Sequence, residues 1–156
     1  MNIGIVVYSQ TGNTLSVAQG LSDRLSSQGH TVTVDRLETA SPAGPGQVVE
    51  LTRVPNILAY GALVLASPVH AFSLAAPMQQ YLADIDHLQG KPVALFVTQH
   101  FPFPWMGGMR ALGQLRRICQ DKGATIMGES IINWSHPRRD QTIQMTIERQ
   151  ANFFLS

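Results

Sequence analysis

Short apolar runs rich in β-branched residues alternate with segments of helical period along the whole chain, and that alternation restricts it to a parallel sheet covered by helices on both faces. The apolar runs are Asn2–Tyr8, Thr31–Leu37, Ala62–Ser67, Pro92–Thr98 and Thr125–Asn133. Segments repeating apolar residues at helical spacing are Asn13–Gln28, Leu74–Ile85, Gly108–Lys122 and Arg139–Phe154. Between the second and third strands, Ala40-Ser41-Pro42-Ala43-Gly44-Pro45-Gly46 is polar and turn-rich, and a weaker helical stretch follows near Val48 to Leu58. No internal repeat or long linker divides the chain, and 156 residues suit a single α/β domain, 1–156, with a substantial core.

Several function classes are disfavoured by composition. Hydrophobic residues make up 44% and charged residues 13%, yet no uninterrupted apolar stretch approaches the ~20 residues that span a bilayer, so no membrane partner is expected. The start Met1 to Ser9 carries no basic segment and no small-residue cleavage site, and reads as a first strand; a cytoplasmic location is expected. A net charge of +1 without a long basic run gives no footprint for nucleic acid. Cys119 is the only cysteine, which excludes an internal disulfide and any multi-cysteine metal site. No paired carboxylates or nucleophile triad stand out, so no catalytic side chain and no metal ligand is assigned.

In an open α/β sheet, ligands bind beyond the carboxyl ends of the strands. The first such loop is Ser9-Gln10-Thr11-Gly12-Asn13-Thr14, made of hydroxyls, amides and one glycine. Gly12 tolerates the geometry that turns successive N–H groups inward, Ser and Thr add donors, and the following helix contributes the positive end of its dipole. A phosphate monoester can be held there without Lys or Arg. Ser, Thr and Asn are also ordinary helix caps, but neither G-x-x-x-x-G-K-[ST] nor G-x-G-x-x-G follows the first strand, so triphosphate and dinucleotide loops fit less well.

This segment resembles the phosphate-binding loop of the flavodoxin family, whose small hydroxyl residues around T-G-N-T cradle the phosphate of FMN. The resemblance extends through the strand and helix order along nearly the whole chain. It implies a doubly wound, five-stranded parallel sheet in the order 2-1-3-4-5, a flavodoxin-like three-layer sandwich; that order is the one known of flavodoxin itself, carried over here. The second loop, Ser67-Pro68-Val69-His70-Ala71-Phe72-Ser73, resembles the family's S/T-P-x-[YHW] loop. In relatives it lays backbone and one large side chain against the flavin ring, a part that His70 or Phe72 would take here.

The third loop, Thr98-Gln99-His100-Phe101-Pro102-Phe103-Pro104-Trp105-Met106-Gly107-Gly108, displays more aromatic surface than a loop carries without something to cover. Backbone groups of Thr98, Gln99 and His100 suit the pyrimidine edge of an isoalloxazine, Phe101 or Trp105 is the candidate to stack on it, and Gly107 permits the turn into the next helix. A protein partner or second subunit is the alternative cover. The loop is richer in proline and aromatics than the family's usual one, and the chain is nearly neutral where electron-shuttling flavodoxins tend to be acidic. After the fifth strand, Asn133-Trp134-Ser135-His136 also falls at the functional edge, with His136 assigned to a capping or surface role.

The expected activity is electron transfer by bound FMN, with a redox protein or small-molecule acceptor as partner. An NAD(P)H-dependent quinone-type reductase, which often works as a homodimer, and a non-redox interaction module are the alternatives. None of the three loops contains Asp or Glu, while two contain His. A protonated His ~7 Å away in an effective dielectric of ~20 would stabilise reduced, anionic flavin by about 2 kcal/mol, on the order of 100 mV. A flavin less reducing than that of acidic flavodoxins is expected, its potential rising as pH falls through the His titration.

Overall fold

A computed structural model describes residues 1–42 and 48–155. Five parallel strands form the sheet: β1 (Asn2–Val7), β2 (Thr31–Arg36), β5 (Ala62–His70), β7 (Pro92–Gln99) and β8 (Thr125–Asn133), in the order β2-β1-β5-β7-β8. This is the expected 2-1-3-4-5 order. The helices are α1 (Asn13–Ser27), α2 (Ala76–Asp84), α3 (Gly108–Asp121) and α4 (Arg139–Asn152). Among the described residues, no helix is long and apolar enough to cross a membrane.

Side-chain alternation along the strands sorts the core into two layers. Ile3, Ile5, Val7, Val64 and Phe96 pack with Val17, Leu21 and Leu25 of α1 and Ile147 of α4. Val6, Leu63, Leu65, Leu95 and Val97 face Met78, Tyr81 and Leu82 of α2 and Leu112 and Leu115 of α3. Every residue of β1 from Ile3 to Val7 is buried, which is why the central strands read as unbroken apolar runs. Cys119 lies in the second layer, and burial pushes its thiol up to about 12. It packs as a small hydrophobe.

Two expectations are corrected. The stretch near Val48 to Leu58 is not a helix: β4 (Leu51–Arg53) pairs antiparallel with β3 (Glu38–Thr39) in a small ribbon outside the main sheet. Pro55 pushes Val54 out of the helical region and lacks an N–H to donate. The ribbon is tied down by Arg53, which donates from Nη2 to Asp35 Oδ1 (3.0 Å), and by Tyr81, whose hydroxyl donates to the carbonyl of Pro55 (2.7 Å). Val49 and Ile57 are buried eight positions apart, a spacing that imitates a helical face without being one. Of the turn-rich segment Ala40–Gly46, the part from 43 onward lies outside the described residues.

The other correction lies beside the candidate site. The third strand was expected to end at Ser67 and to lead through a loop into a helix from Leu74. It runs on to His70 and folds back as a hairpin onto β6 (Ser73–Leu74), pairing Val69 with Leu74 and His70 with Ser73. The two-residue turn is Ala71 (φ 47°) and Phe72 (φ 62°), both left-handed. Gln114 of α3 secures the return strand, its Oε1 accepting from Leu74 N (2.8 Å) and from the Ser73 hydroxyl (2.9 Å). The helix then starts at Ala76 with Pro77 in its first turn, where a missing N–H costs nothing.

Candidate functional site

At the carboxyl edge of the sheet, the loop after β1, the hairpin after β5 and the loop after β7 converge. One crevice is lined by Gln10, Thr11, Asn13 and Thr14 from the first, by Pro68, Val69 and His70 from the second, and by Thr98, Gln99 and His100 from the third. Ten of the residues singled out in the sequence therefore share one cleft. An eleventh lining residue, Trp134, stands at the end of β8.

The first loop reaches α1 through Gly12 in the left-handed region (φ 94°), and no side chain caps the helix. Ser9 is buried, and its Oγ accepts the N–H of Gly12 (3.1 Å) inside the loop. Thr14 is buried too, its hydroxyl sharing a 2.8 Å hydrogen bond with that of Thr98. Two hydroxyls are thus spent on the protein itself. Gln10 and Thr11 remain exposed at the mouth of the loop, and the first turn of α1 opens between them and Asn13. Arg36, which the sequence reading passed over, donates from Nη2 to the carbonyl of Ser9 (2.7 Å) and so braces the loop from the end of β2. That last position of the second strand lies at the same sheet edge, the signal by which Arg36 can be found. On its outer side a separate hollow of about 380 Å³ is lined by Ser9, Gln10 and Arg36, away from the third loop.

In the second segment, Ser67 is fully buried and donates its hydroxyl to the carbonyl of Pro68 (3.0 Å). His70 meets Tyr8 edge-on at 6.0 Å, its Nδ1 is buried without a hydrogen-bond partner, and burial lowers its pKa from the ordinary 6.5. A neutral imidazole therefore faces the crevice at neutral pH. The expected effect of a charged His on reduced flavin moves, for His70, to more acid pH. Ala71 and Phe72 do not line the crevice; they form the exposed tip above it.

The third loop is folded by two amides. Gln99, almost fully buried, donates from Nε2 to the carbonyls of Phe101 (2.7 Å) and Phe103 (2.7 Å). Asn133 donates from Nδ2 to the carbonyl of Pro102 (2.8 Å), and Trp134 N–H takes the carbonyl of Gln99 (2.7 Å). Those bonds bring the end of β8 into the site. The sequence placed this segment at the right edge and gave His136 a capping or surface role, which holds: His136 is exposed and its Nδ1 accepts the N–H of Arg138 (2.9 Å) just before α4. Trp134, which the sequence reading did not assign to the site, is the residue that lines the crevice. Gly107 (φ 109°) makes the turn into α3.

The aromatics form two stacks. Phe72 lies on Phe101 at 5.1 Å and 17°, and Phe103 on Trp105 at 5.5 Å and 4°. Phe101 is therefore the candidate that borders the hairpin, whereas Trp105, 69% exposed, points away with Phe103. Between loop and hairpin the crevice holds about 70 Å³, well below the roughly 300–1,000 Å³ of a ligand pocket. That volume suits a phosphate-sized group. A tricyclic ring exceeds it.

No protein-family model matches the sequence, and no curated protein matches it. Similarity to solved structures is extensive. Flavodoxin 1 from Bacillus cereus superposes with a TM-score of 0.72 at 18% identity, covering 100% of both chains. The two-electron reduced flavodoxin of Megasphaera elsdenii gives 0.70 at 21% identity over 96% of this chain and 98% of that one. A Lactobacillus acidophilus flavoprotein in complex with FMN gives 0.62 at 13% identity over 92% and 97%. At such identities the likeness establishes the fold, which is that of the flavodoxins.

Proposed function

From a chain with the flavodoxin fold we infer a flavodoxin-like FMN protein that carries electrons between redox partners. The observation that carries this reading is the meeting, in one crevice, of an uncapped helix N-terminus behind an uncharged hydroxyl loop with the aromatic hairpin and the third loop. A phosphate would be received by the backbone N–H groups of Thr11, Asn13 and Thr14, that of Gly12 being taken by Ser9 Oγ, with the dipole of α1 behind it. Gln10, Thr11 and Asn13 supply side-chain donors at the mouth. His70 offers an unpartnered nitrogen to a polar group entering the crevice. Thr98, Gln99, His100 and Trp134 form the opposite wall, with Ser67 and Pro68 beneath and Gly107 letting the two loops approach.

When bound, FMN supplies one- and two-electron redox chemistry. The chain's own residues would bind, orient and shield it: Phe72 and Phe101 would cover the ring, the clamp by Gln99 holds the third loop in shape, and the three loops bring no carboxylate of their own to the reduced flavin. The alternative partner, a small-molecule acceptor reached through NAD(P)H, is separated from the carrier reading by an NAD(P)H oxidation assay with a quinone. The deciding experiment is titration of the purified protein with FMN, followed by flavin fluorescence quenching. Saturable quenching in the ~1 μM range supports the reading, and absence of binding at ~100 μM FMN overturns it.

A further inference from the structure

The outer aromatic pair is left over by the cofactor reading. Phe103 and Trp105 are 52% and 69% exposed and stack on each other outside the crevice, and Met109, 61% exposed, continues the patch into α3. The carbonyl of Pro104 accepts the N–H of Met109 (2.9 Å), which brings the first turn of α3, with the exposed Arg110, beside this patch. On the other flank, the bond from Asn133 to Pro102 ties the end of β8, just ahead of α4, to the same loop. Exposed Arg138 and Arg139 stand there, Arg139 held over the Trp134 ring at 5.1 Å while its Nη1 donates to the Trp134 carbonyl (3.1 Å).

The ion pairs among the described residues are Arg24–Glu148, Arg53–Asp35 and Arg116–Glu129, so none of the three flanking arginines has a carboxylate within pairing distance. Asp140 is the sole acidic residue at the start of α4, and loop 98–108 has none. Asp84 and Asp121 end α2 and α3, at the opposite edge of the sheet. The apolar patch is therefore flanked by three arginines against one carboxylate, Asp140, a net positive rim.

We propose that Phe103, Trp105 and Met109 form a docking surface for an acidic protein, one whose carboxylates ring an apolar recess. Charge complementarity selects this occupant. A second copy of the chain would set the same three guanidiniums against each other across a two-fold seam. The surface adjoins the proposed flavin crevice but lies outside it, so docking requires no FMN.

The test is binding of two purified carriers to the protein, FMN-free and with FMN added: an acidic plant-type [2Fe–2S] ferredoxin and a basic c-type cytochrome, followed by calorimetry at low ionic strength. The ferredoxin is expected to bind at least about tenfold more tightly and to lose about tenfold at ~0.15 M salt. Arg110→Glu with Arg138→Glu removes the preference, Trp105→Ala weakens binding at both salt concentrations, and Arg149→Glu, at the far end of α4, changes nothing. Arg110→Gln with Arg138→Gln serves if the reversed pair fails to fold. Tighter binding of the cytochrome, absence of ferredoxin binding, an unchanged charge variant, or self-association on sedimentation that Trp105→Ala abolishes would each overturn the proposal. Loss of FMN binding with ferredoxin binding intact would overturn only the cofactor reading.

Discussion

Gly107 lies against the backbone of Phe72: a Cβ built at 107 would come within 2.7 Å of Phe72 Cα and 2.7 Å of Val69 Cγ1. The third loop and the hairpin thus touch through a position where only hydrogen fits. Because φ at Gly107 is also 109°, Gly107→Ala meets both a steric and a conformational penalty. A loss of about 2 kcal/mol or more is expected, read as a lower urea midpoint with an unchanged slope.

The hydroxyls of Thr14 and Thr98 join loops 84 residues apart. Thr98→Val leaves Thr14 Oγ1 buried without this partner, at a cost of about 1–3 kcal/mol. Adding Thr14→Val removes the orphan, so the double variant is expected to be destabilised by less than the sum of the singles. Strictly additive denaturation midpoints would show that the bond contributes nothing.

Ala71 and Phe72 occupy a two-residue hairpin turn in which both residues have positive φ, a place that an Asn-Gly pair fills with far less strain. The double substitution Ala71→Asn, Phe72→Gly is expected to relieve about 3 kcal/mol of backbone strain over the two positions. The Phe72–Phe101 stack is lost in the same step, and with it an aromatic contribution of ~0.5–1.5 kcal/mol. Thermal melts should therefore rise while FMN affinity falls several-fold. Greater stability with unchanged affinity would remove Phe72 from the flavin site.

His70 sets a pH dependence whose sign follows from burial. Its folded pKa lies below the unfolded 6.5, so under acid conditions the unfolded chain takes up the proton first. Its contribution is fully present above pH 6.5 and is lost as pH falls through that value toward the folded pKa. Denaturation midpoints measured from pH 7.5 downward should drop more steeply for the wild type than for His70→Asn.

Strand and helix order was legible because the central strands are buried on both faces, and their apolar runs leave no second interpretation. Convergence of the three loops followed from the strand order that the flavodoxin resemblance implied, with ligands placed at the carboxyl ends of the strands. The fold-back after Ser67 was not legible, because Ala-Phe is a poor turn sequence and its conformation is imposed by Gln114 and Gly107 from far along the chain. The ribbon at Leu51–Arg53 escaped for a related reason: Asp35 and Tyr81 hold it through contacts that no local pattern encodes. The side-chain role of Gln99 was hidden too, since a glutamine in a loop gives no sign that both its amide hydrogens close that loop.

The position of β1 inside the sheet bears on how the chain is made. Its partner on one side, β2, follows within about 30 residues, but its partner on the other pairs Ile3 with Ala62. During synthesis, a nascent chain that has just completed β2 carries a first strand bare along one edge and apolar on both faces, the arrangement most prone to pair with another chain. Closure waits for residues in the sixties to clear the ribosome exit tunnel. Only then can the crevice begin to form, since two of its three walls follow β1 and β5.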